Sequence, residues 1–372
     1  MKADSAISVY LHVPFCRARC LYCDFYSSAC SGRPPDAYVQ LIEAEAARWG
    51  KALKRAGRTV DTLFVGGGTP TVLAPDQLRA VLSALHQHLP LRGQVEWTVE
   101  CNPESLDAEK ARLMVEAGVN RLSIGVQSFD DATLRALGRI HSATQALEAL
   151  ARARQAGIRN LNLDLLYGCP QQTLEGWLST LQQALEWRPE HLSCYALTVE
   201  PDTPLAALIS AGSLPPPDDD LQVEMAKATH DTLTRRGYAH YEISNFALPG
   251  HECRHNLGYW RGREYVGLGP GSVSCLGGVR WRSTRSAQGA VLEGEALEPH
   301  RRLRERAMLN LRTRQGLSRE DLEALLGAEG TERWLERWGD LFERPSEGYN
   351  ANYAVLSVRG MMLADEIVAS LL

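Results

Sequence analysis

The sequence predicts an α/β protein: a partial (β/α)6 TIM-like barrel followed by a smaller, mainly helical and winged-helix-like C-terminal domain. Three observations predict it. Six apolar, β-branched segments alternate with amphipathic stretches through residue 237. Glycines fall where the helical periodicities stop, at Gly57, Gly118, Gly157 and Gly237, the positions at which helices commonly need a left-handed C-cap. Beyond Gly237 the alternation ceases, and from Pro299 the periodicity is helical. Strict β-α alternation yields a parallel sheet because successive right-handed crossovers return the chain in one direction.

The strands are predicted at Ile7–Val13, Thr62–Gly66, Val95–Cys101, Arg121–Gln127, Asn160–Gly168 and His191–Val199. Each is a short apolar run, as expected of strands covered on both faces. The intervening helices are predicted at Asp36–Gly57, Pro75–Leu89, Leu106–Gly118, Ser142–Gly157 and Leu174–Trp187, with Leu221–Gly237 after the last strand. Residues 1–237 form the barrel in this reading. Residues 238–298 connect, with a strand at Tyr241–Phe246 and a glycine-rich stretch at Gly267–Gly278; residues 299–372 form the C-terminal domain. That domain contains predicted helices at Arg301–Leu311, Ser318–Leu326 and Thr331–Phe342, a hairpin-like stretch at Tyr353–Val358 and a last helix at Asp365–Leu371.

A net charge of −5 argues against a general nucleic-acid or anionic-membrane surface. The start, Met1–Ser5, has no secretory signal, and no stretch approaches transmembrane length. Nine cysteines without an export signal place the chain in a reducing cytoplasm, where cysteine clusters bind metal rather than pair. The basic run His300–Arg306 reads as a solvated helix face, with Leu303, Ala307 and Leu311 turned inward. The Gly267–Ser272 loop lacks the βαβ context of a dinucleotide site.

Chemistry concentrates at the C-terminal ends of the predicted strands, where barrels of this kind hold ligands. Cys16, Cys20 and Cys23 follow the first strand in a C-x3-C-x2-C spacing. Three thiolates can hold three irons of a [4Fe–4S] cluster and leave the fourth open; a zinc site completed by His12 is the bland alternative. Gly66-Gly67-Gly68-Thr69-Pro70-Thr71 ends the second strand, Glu100-Cys101-Asn102-Pro103 the third, and Gln127 the fourth; Asp164 lies in the fifth. Taken singly, the glycines read as a tight turn, Gln127 and Asp164 as strand-end polar groups, and Arg139 as a surface helix residue. Cys101, Cys169, Cys194 and Cys275 read as small buried hydrophobes; Cys30 and Cys253 stay open.

Together, Tyr10-x-His12-x-Pro14-Phe15-Cys16-x3-Cys20-x-Tyr22-Cys23 and the GGGTPT run resemble the radical S-adenosylmethionine superfamily. More narrowly the chain is similar to the branch of oxygen-independent coproporphyrinogen III oxidases and, within it, to haem chaperones of the HemW type. The resemblance implies a partial barrel of the radical S-adenosylmethionine type. It also implies a [4Fe–4S] cluster on the three cysteines, with S-adenosylmethionine chelating the open iron and open to reductive cleavage into a 5′-deoxyadenosyl radical. Tyr10 and Tyr22 would border cluster and nucleoside. Gly67, Gly68 and Thr69 would admit the methionine moiety, and Glu100, Gln127, Arg139 and Asp164 would hold its ammonium, carboxylate and ribose groups. Whether these serve one S-adenosylmethionine or two stays open, and none is assigned as catalytic.

Two departures separate the relatives. The oxidase carries a further cysteine two residues past the third, where this chain has Phe25; it also carries an N-terminal extension, where only about six residues precede Ile7. His255-Asn256-Leu257-Gly258-Tyr259-Trp260 fits the H-N-x-x-Y-W pattern that the resemblance associates with haem. Imidazole is a common axial ligand and aromatic rings pack against a flat macrocycle. His240, His251 and Cys253 are alternative ligands, and the bland reading is that His255 ties down a loop. No C-x-x-C-H supports covalent attachment. The expectation is a cytoplasmic haem chaperone with haem as cargo and acceptor haem proteins, of the respiratory chain among others, as partners. Contact with membrane haem proteins would be peripheral and nucleic acid is not a partner. Coproporphyrinogen III oxidation is the alternative, and a radical enzyme acting on RNA fits poorly.

Overall fold

The computed structural model describes residues 5–283, 291–343 and 352–371. The very start of the chain, 1–4, and part of the predicted connection, 284–290, lie outside the described residues. Six parallel strands stand where the alternation predicts them: β1 Ala6–Val13, β2 Thr59–Gly67, β3 Leu91–Cys101, β4 Arg121–Gln127, β5 Asn160–Tyr167 and β6 His191–Ala196. Each pairs in parallel with the next. All seven residues of β4 are buried, as a central strand covered on both faces requires. Helices Asp36–Arg55, Pro75–His88, Ala108–Ala117, Ala143–Gln155, Leu174–Glu186 and Asp219–Arg235 cover the sheet. The third begins two residues later than predicted because the Asp107 carboxylate accepts the Lys110 N–H and caps it there. Short helices at Asp131–Ala136 and Pro204–Ser210 were below the reach of periodicity.

The connecting region corrects the sequence reading most. The predicted strand Tyr241–Phe246 divides into β7 (Ala239–His240) and β8 (Asn245–Ala247), an antiparallel pair at the β6 edge. The glycine-rich stretch contains β9 (Tyr265–Leu268), which adds to β1 as a seventh parallel strand. β9 then turns into an antiparallel ribbon of β10 (Val273–Leu276), β11 (Val279–Ser283) and β12 (Val291–Ala296). Gly267 hid this strand. A side chain there would put its Cβ 2.3 Å from the Val273 carbonyl oxygen, so close approach of β9 and β10 demands glycine. The His255–Trp260 motif lies on a helix, Arg254–Trp260, not on a loop.

The C-terminal region builds its own core around Leu311, Leu317, Trp334, Leu356 and Ile367. Helix Pro299–Asn310 presents Ala307 inward, while Arg301 pairs with Glu295 and Glu305 and Arg306 with Asp321 on the outside. Helix Arg319–Trp338 breaks at Gly327, with φ 71° and ψ 167°, which is the boundary between the two helices predicted there. The predicted hairpin is instead a two-residue ladder of Tyr353–Ala354 with Leu317–Ser318, followed by helices Val358–Met362 and Ala364–Ala369. No helix among the described residues is long and apolar enough to cross a membrane.

β1 bears the cysteine loop and is bracketed by two parallel neighbours, so its packing sets the site's foundation. Leu11 is fully buried and in register with Val65 on one side and Leu268 on the other. Leu11→Ala is expected to cost about 2–5 kcal/mol of unfolding free energy in a urea titration; a loss under about 1 kcal/mol would contradict this placement.

Candidate cofactor site

The cysteine loop is pinned at three points. Phe15–Cys16 pairs in parallel with Ser28–Ala29, and the Cys30 N–H donates to the Cys16 carbonyl at 2.7 Å. In the middle, the Leu21 N–H donates to the Leu137 carbonyl at 3.1 Å, and the Leu21 carbonyl accepts the Leu205 N–H at 2.9 Å. Cys16 is buried, and Cys20 and Cys23 are half-buried. All three line one cavity of about 310 Å³, which Tyr22, Gly67 and Gly68 also line. Glu100, Gln127, Arg139 and Asp164 line it as well.

A polar relay joins loop and barrel. The Arg139 guanidinium donates to Cys20 Sγ at 3.3 Å, to Asn102 Oδ1 at 2.7 Å and to the Gly125 carbonyl at 2.8 Å. Asn102 Nδ2 donates to Thr69 Oγ1 at 2.9 Å, and the Thr69 hydroxyl donates to Cys16 Sγ at 3.7 Å. Arg139 therefore sits against the thiols and not on a surface helix. Burial raises the Cys16 and Cys23 thiols above their ordinary range, opposed by Thr69 at Cys16 and by the Phe25 backbone at Cys23. Metal ligation inverts that preference, since a coordinated thiol is deprotonated. Asn102, within the run that ends the third strand, carries no role in the sequence, and Ser123, inside β4, carries no signal there; a polar side chain in or just past a strand is too common to be specific.

The glycines earn their places by contact. A Cβ on Gly68 would lie 2.6 Å from the Phe15 carbonyl oxygen and 3.0 Å from Cys16 Sγ. Gly67 has φ +109°, a backbone region closed to most side chains, and its N–H donates to Glu100 Oε2 at 3.0 Å. Gln127, a non-glycine residue at φ +64°, turns into the cavity from the end of β4, and such strain clusters at functional sites. Enclosure in the barrel pushes Glu100 up to about 8, with Asp164 adding and Gly67 opposing. Asp164 is raised by burial as well, and accepts hydrogen bonds from Ser123 at 2.9 Å and Asn162 at 2.8 Å. His12 does not complete a zinc site. Its Nδ1 meets the Tyr10 hydroxyl at 3.0 Å and its Nε2 the Tyr26 carbonyl at 2.8 Å.

Two more cavities adjoin. An outer one of about 810 Å³ shares Gly67, Glu100 and Phe25 with the cysteine cavity, and an inner one of about 210 Å³ shares Glu100 and Asp164 with it. Tyr10 lines the outer and inner cavities rather than the cysteine cavity, so its expected place beside the cluster shifts outward. Phe25 is 65% exposed and stands at the shared mouth. His255 is 1% exposed and faces the inner cavity. Its Nδ1 meets the Thr62 hydroxyl at 2.9 Å and its Nε2 the Tyr259 hydroxyl at 3.2 Å. Burial, with Arg121 nearby, lowers its pKa to about 3, which keeps the imidazole neutral. Of the alternatives, Cys253 is fully buried against Glu96, whereas His240 and His251 are half-buried, His240 being stacked on Phe246 with its Nδ1 toward His230.

Two expectations follow from this geometry. Gly68→Ala should reduce iron and sulfide retained after anaerobic reconstitution by at least half, and full loading would show that the backbone can give way. Glu100 is protonated in the folded chain up to about 8, against 4.5 ordinarily, so the native state holds a proton the unfolded state releases. Its contribution to stability is present below about 4.5 and is lost as pH rises toward 8. Glu100→Gln should flatten that decline in urea melts from pH 5 to 8, and an unchanged slope would be inconsistent with it.

The chain is similar to known proteins. Residues 10–184 match the family model of the radical SAM superfamily. The chain is 42% identical to the haem chaperone HemW of Escherichia coli over 79% of its length and 78% of the relative's. It is 34% identical to HemW of Bacillus subtilis over 98% of this chain and 99% of that one. Among solved structures, the radical SAM coproporphyrinogen III oxidase HemN of Escherichia coli superposes with a TM-score of 0.81 at 24% identity, covering 98% of this chain and 90% of that one.

Proposed function

The chain belongs to the radical SAM superfamily and, within it, to the HemW family of haem chaperones, and from that premise we propose that it binds haem and passes it to acceptor haem proteins. The observation that carries the reading is that likeness to HemW runs through 98% of the chain, including the helix with His255 and the C-terminal core. The radical SAM fold brings with it a [4Fe–4S] cluster and S-adenosylmethionine. In our reading Cys16, Cys20 and Cys23 hold three irons. Thr69 and Arg139 supply hydrogen bonds to the first two sulfurs, and charge-assisted ones are the stronger kind. When bound, the pair supplies one-electron sulfonium cleavage. The chain's own contribution is to seat the methionine end over Gly67 and Gly68, to offer Glu100, Gln127 and Asp164 to its polar groups, and to exclude water.

His255 is our candidate for the haem-binding residue of its helix. A neutral imidazole can ligate iron, and rotation of Tyr259 would release its Nε2. We place the protein in the cytoplasm, handing haem to respiratory enzymes among its acceptors by peripheral contact. Phe25, at the position of the oxidase's further cysteine, supports carriage over porphyrinogen decarboxylation. The HemN likeness speaks for the fold alone.

Anaerobically reconstituted protein should take up haem stoichiometrically in a titration followed by Soret absorbance, with His255→Ala weakening uptake by about tenfold. Equal uptake by both proteins would remove His255 from the haem site. Incubation with coproporphyrinogen III, S-adenosylmethionine and a strong reductant should yield no protoporphyrinogen above background; its formation would replace the chaperone reading with the oxidase one.

A further inference from the structure

The outer cavity is larger than either of the two it adjoins, and most of its lining lies outside the cofactor assignment. At about 810 Å³ it lies toward the upper end of the roughly 300–1,000 Å³ that small-molecule and cofactor sites span. Aromatic side chains stand in its wall among polar and charged ones. Tyr10, Tyr26, Tyr259, Tyr265 and Phe25 all line it. Behind them the rings run on in contact: Tyr10 to Phe64 at 6.2 Å, Phe64 to His255 at 5.1 Å, His255 to Tyr259 at 5.0 Å and Tyr259 to Tyr265 at 4.7 Å. Tyr259 lines both the outer and the inner cavity, so it stands between His255 and the outer space.

Two guanidinium groups open into the same space. Arg19 comes from the cysteine loop and Arg282 from β11. Both are exposed. Arg19 donates one hydrogen bond to the Cys23 carbonyl at 3.1 Å, and a guanidinium has five N–H donors. Arg282 makes no ion pair among the described residues, whereas Arg280, two positions before it, is held by Glu295 and Glu305. Asp24 also lines the cavity, and Glu100, protonated near neutrality, adds little negative charge. The result is a lining of mixed polarity in which aromatic rings stand beside two cations, a combination complementary to an aromatic macrocycle that carries two carboxylates.

Resting on the chaperone reading, we propose that the outer cavity is the seat of the haem, with its macrocycle against the tyrosine wall and its two propionates on Arg19 and Arg282. The iron then approaches from the Tyr259 side, with His255 behind it. Because the cavity shares Gly67 and Glu100 with the cysteine cavity, the cargo lies directly beside the cofactor site.

The test compares ferric haem, its dimethyl ester and metal-free protoporphyrin in titrations of the full, reconstituted chain. Arg19→Ala and Arg282→Ala should each weaken haem about tenfold, as loss of a charge-assisted hydrogen bond does. The dimethyl ester should bind wild type as weakly as haem binds the double variant, and be indifferent to either substitution. Metal-free protoporphyrin should show the same arginine dependence. Wild-type affinity of both arginine variants for haem, or equal affinity of haem and its ester, would overturn the cavity assignment while leaving the chaperone reading intact. A wild type that takes up no haem would sink both.

Discussion

The site depends on one guanidinium. Arg139 reaches from the loop after a short helix to a sulfur of the cysteine loop, to the Asn102 side chain just past β3 and to a carbonyl of β4. A cation in so enclosed a place is costly unless each donor finds an acceptor. Its Nε has no hydrogen-bond partner among the described residues, while the Glu104 carboxylate nearby offsets the charge. Through Asn102 and Thr69 the same network extends to Cys16, so two of the three sulfurs are referenced to the barrel wall and not merely to their own loop.

Close approach of backbone to backbone is the second constraint. Gly67 and Gly68 let β2 turn beneath the cysteine loop, and Gly269, at φ +85° with its Cβ position 2.5 Å from the His12 carbonyl oxygen, lets the end of β9 meet the end of β1. The Arg254–Trp260 helix is held by hydrogen bonds to Asp61, Thr62, Gln94 and Glu96 in the first halves of β2 and β3, while the parallel pairing of β9 with β1 carries the β11 ribbon along that edge of the sheet. Through Glu100 and Asp164, which line both the inner and the cysteine cavity, that helix, remote in sequence, shares a cavity system with the cysteine triplet.

That cavity system is chemically graded. The cysteine cavity has acid, amide and guanidinium groups; the outer one is tyrosine-lined with arginines at its boundary; the inner one holds Arg121, Asn162 and Asp164 deep in the barrel. Glu100 belongs to all three. A carboxyl that keeps its proton near neutrality can serve each as a donor or acceptor without placing a full charge among them.

The alternation of apolar runs and amphipathic stretches determined the barrel by itself, because a strand covered on both faces must be apolar along its length, as β4 is. The C-x3-C-x2-C triplet and GGGTPT were equally legible: cluster ligation needs three thiolates in a short span, and close approach needs glycine. Long-range contact is not written in such local patterns. Only the tertiary structure decided that Gly267 sits in a strand, that Arg139 turns inward to sulfur, and that Tyr10 lines the outer and inner cavities. It also decided that both ring nitrogens of His255 are engaged by Thr62 and Tyr259. Each of those outcomes depends on partners tens to hundreds of residues away, and a residue's own type and neighbours carry no record of which distant group will meet it.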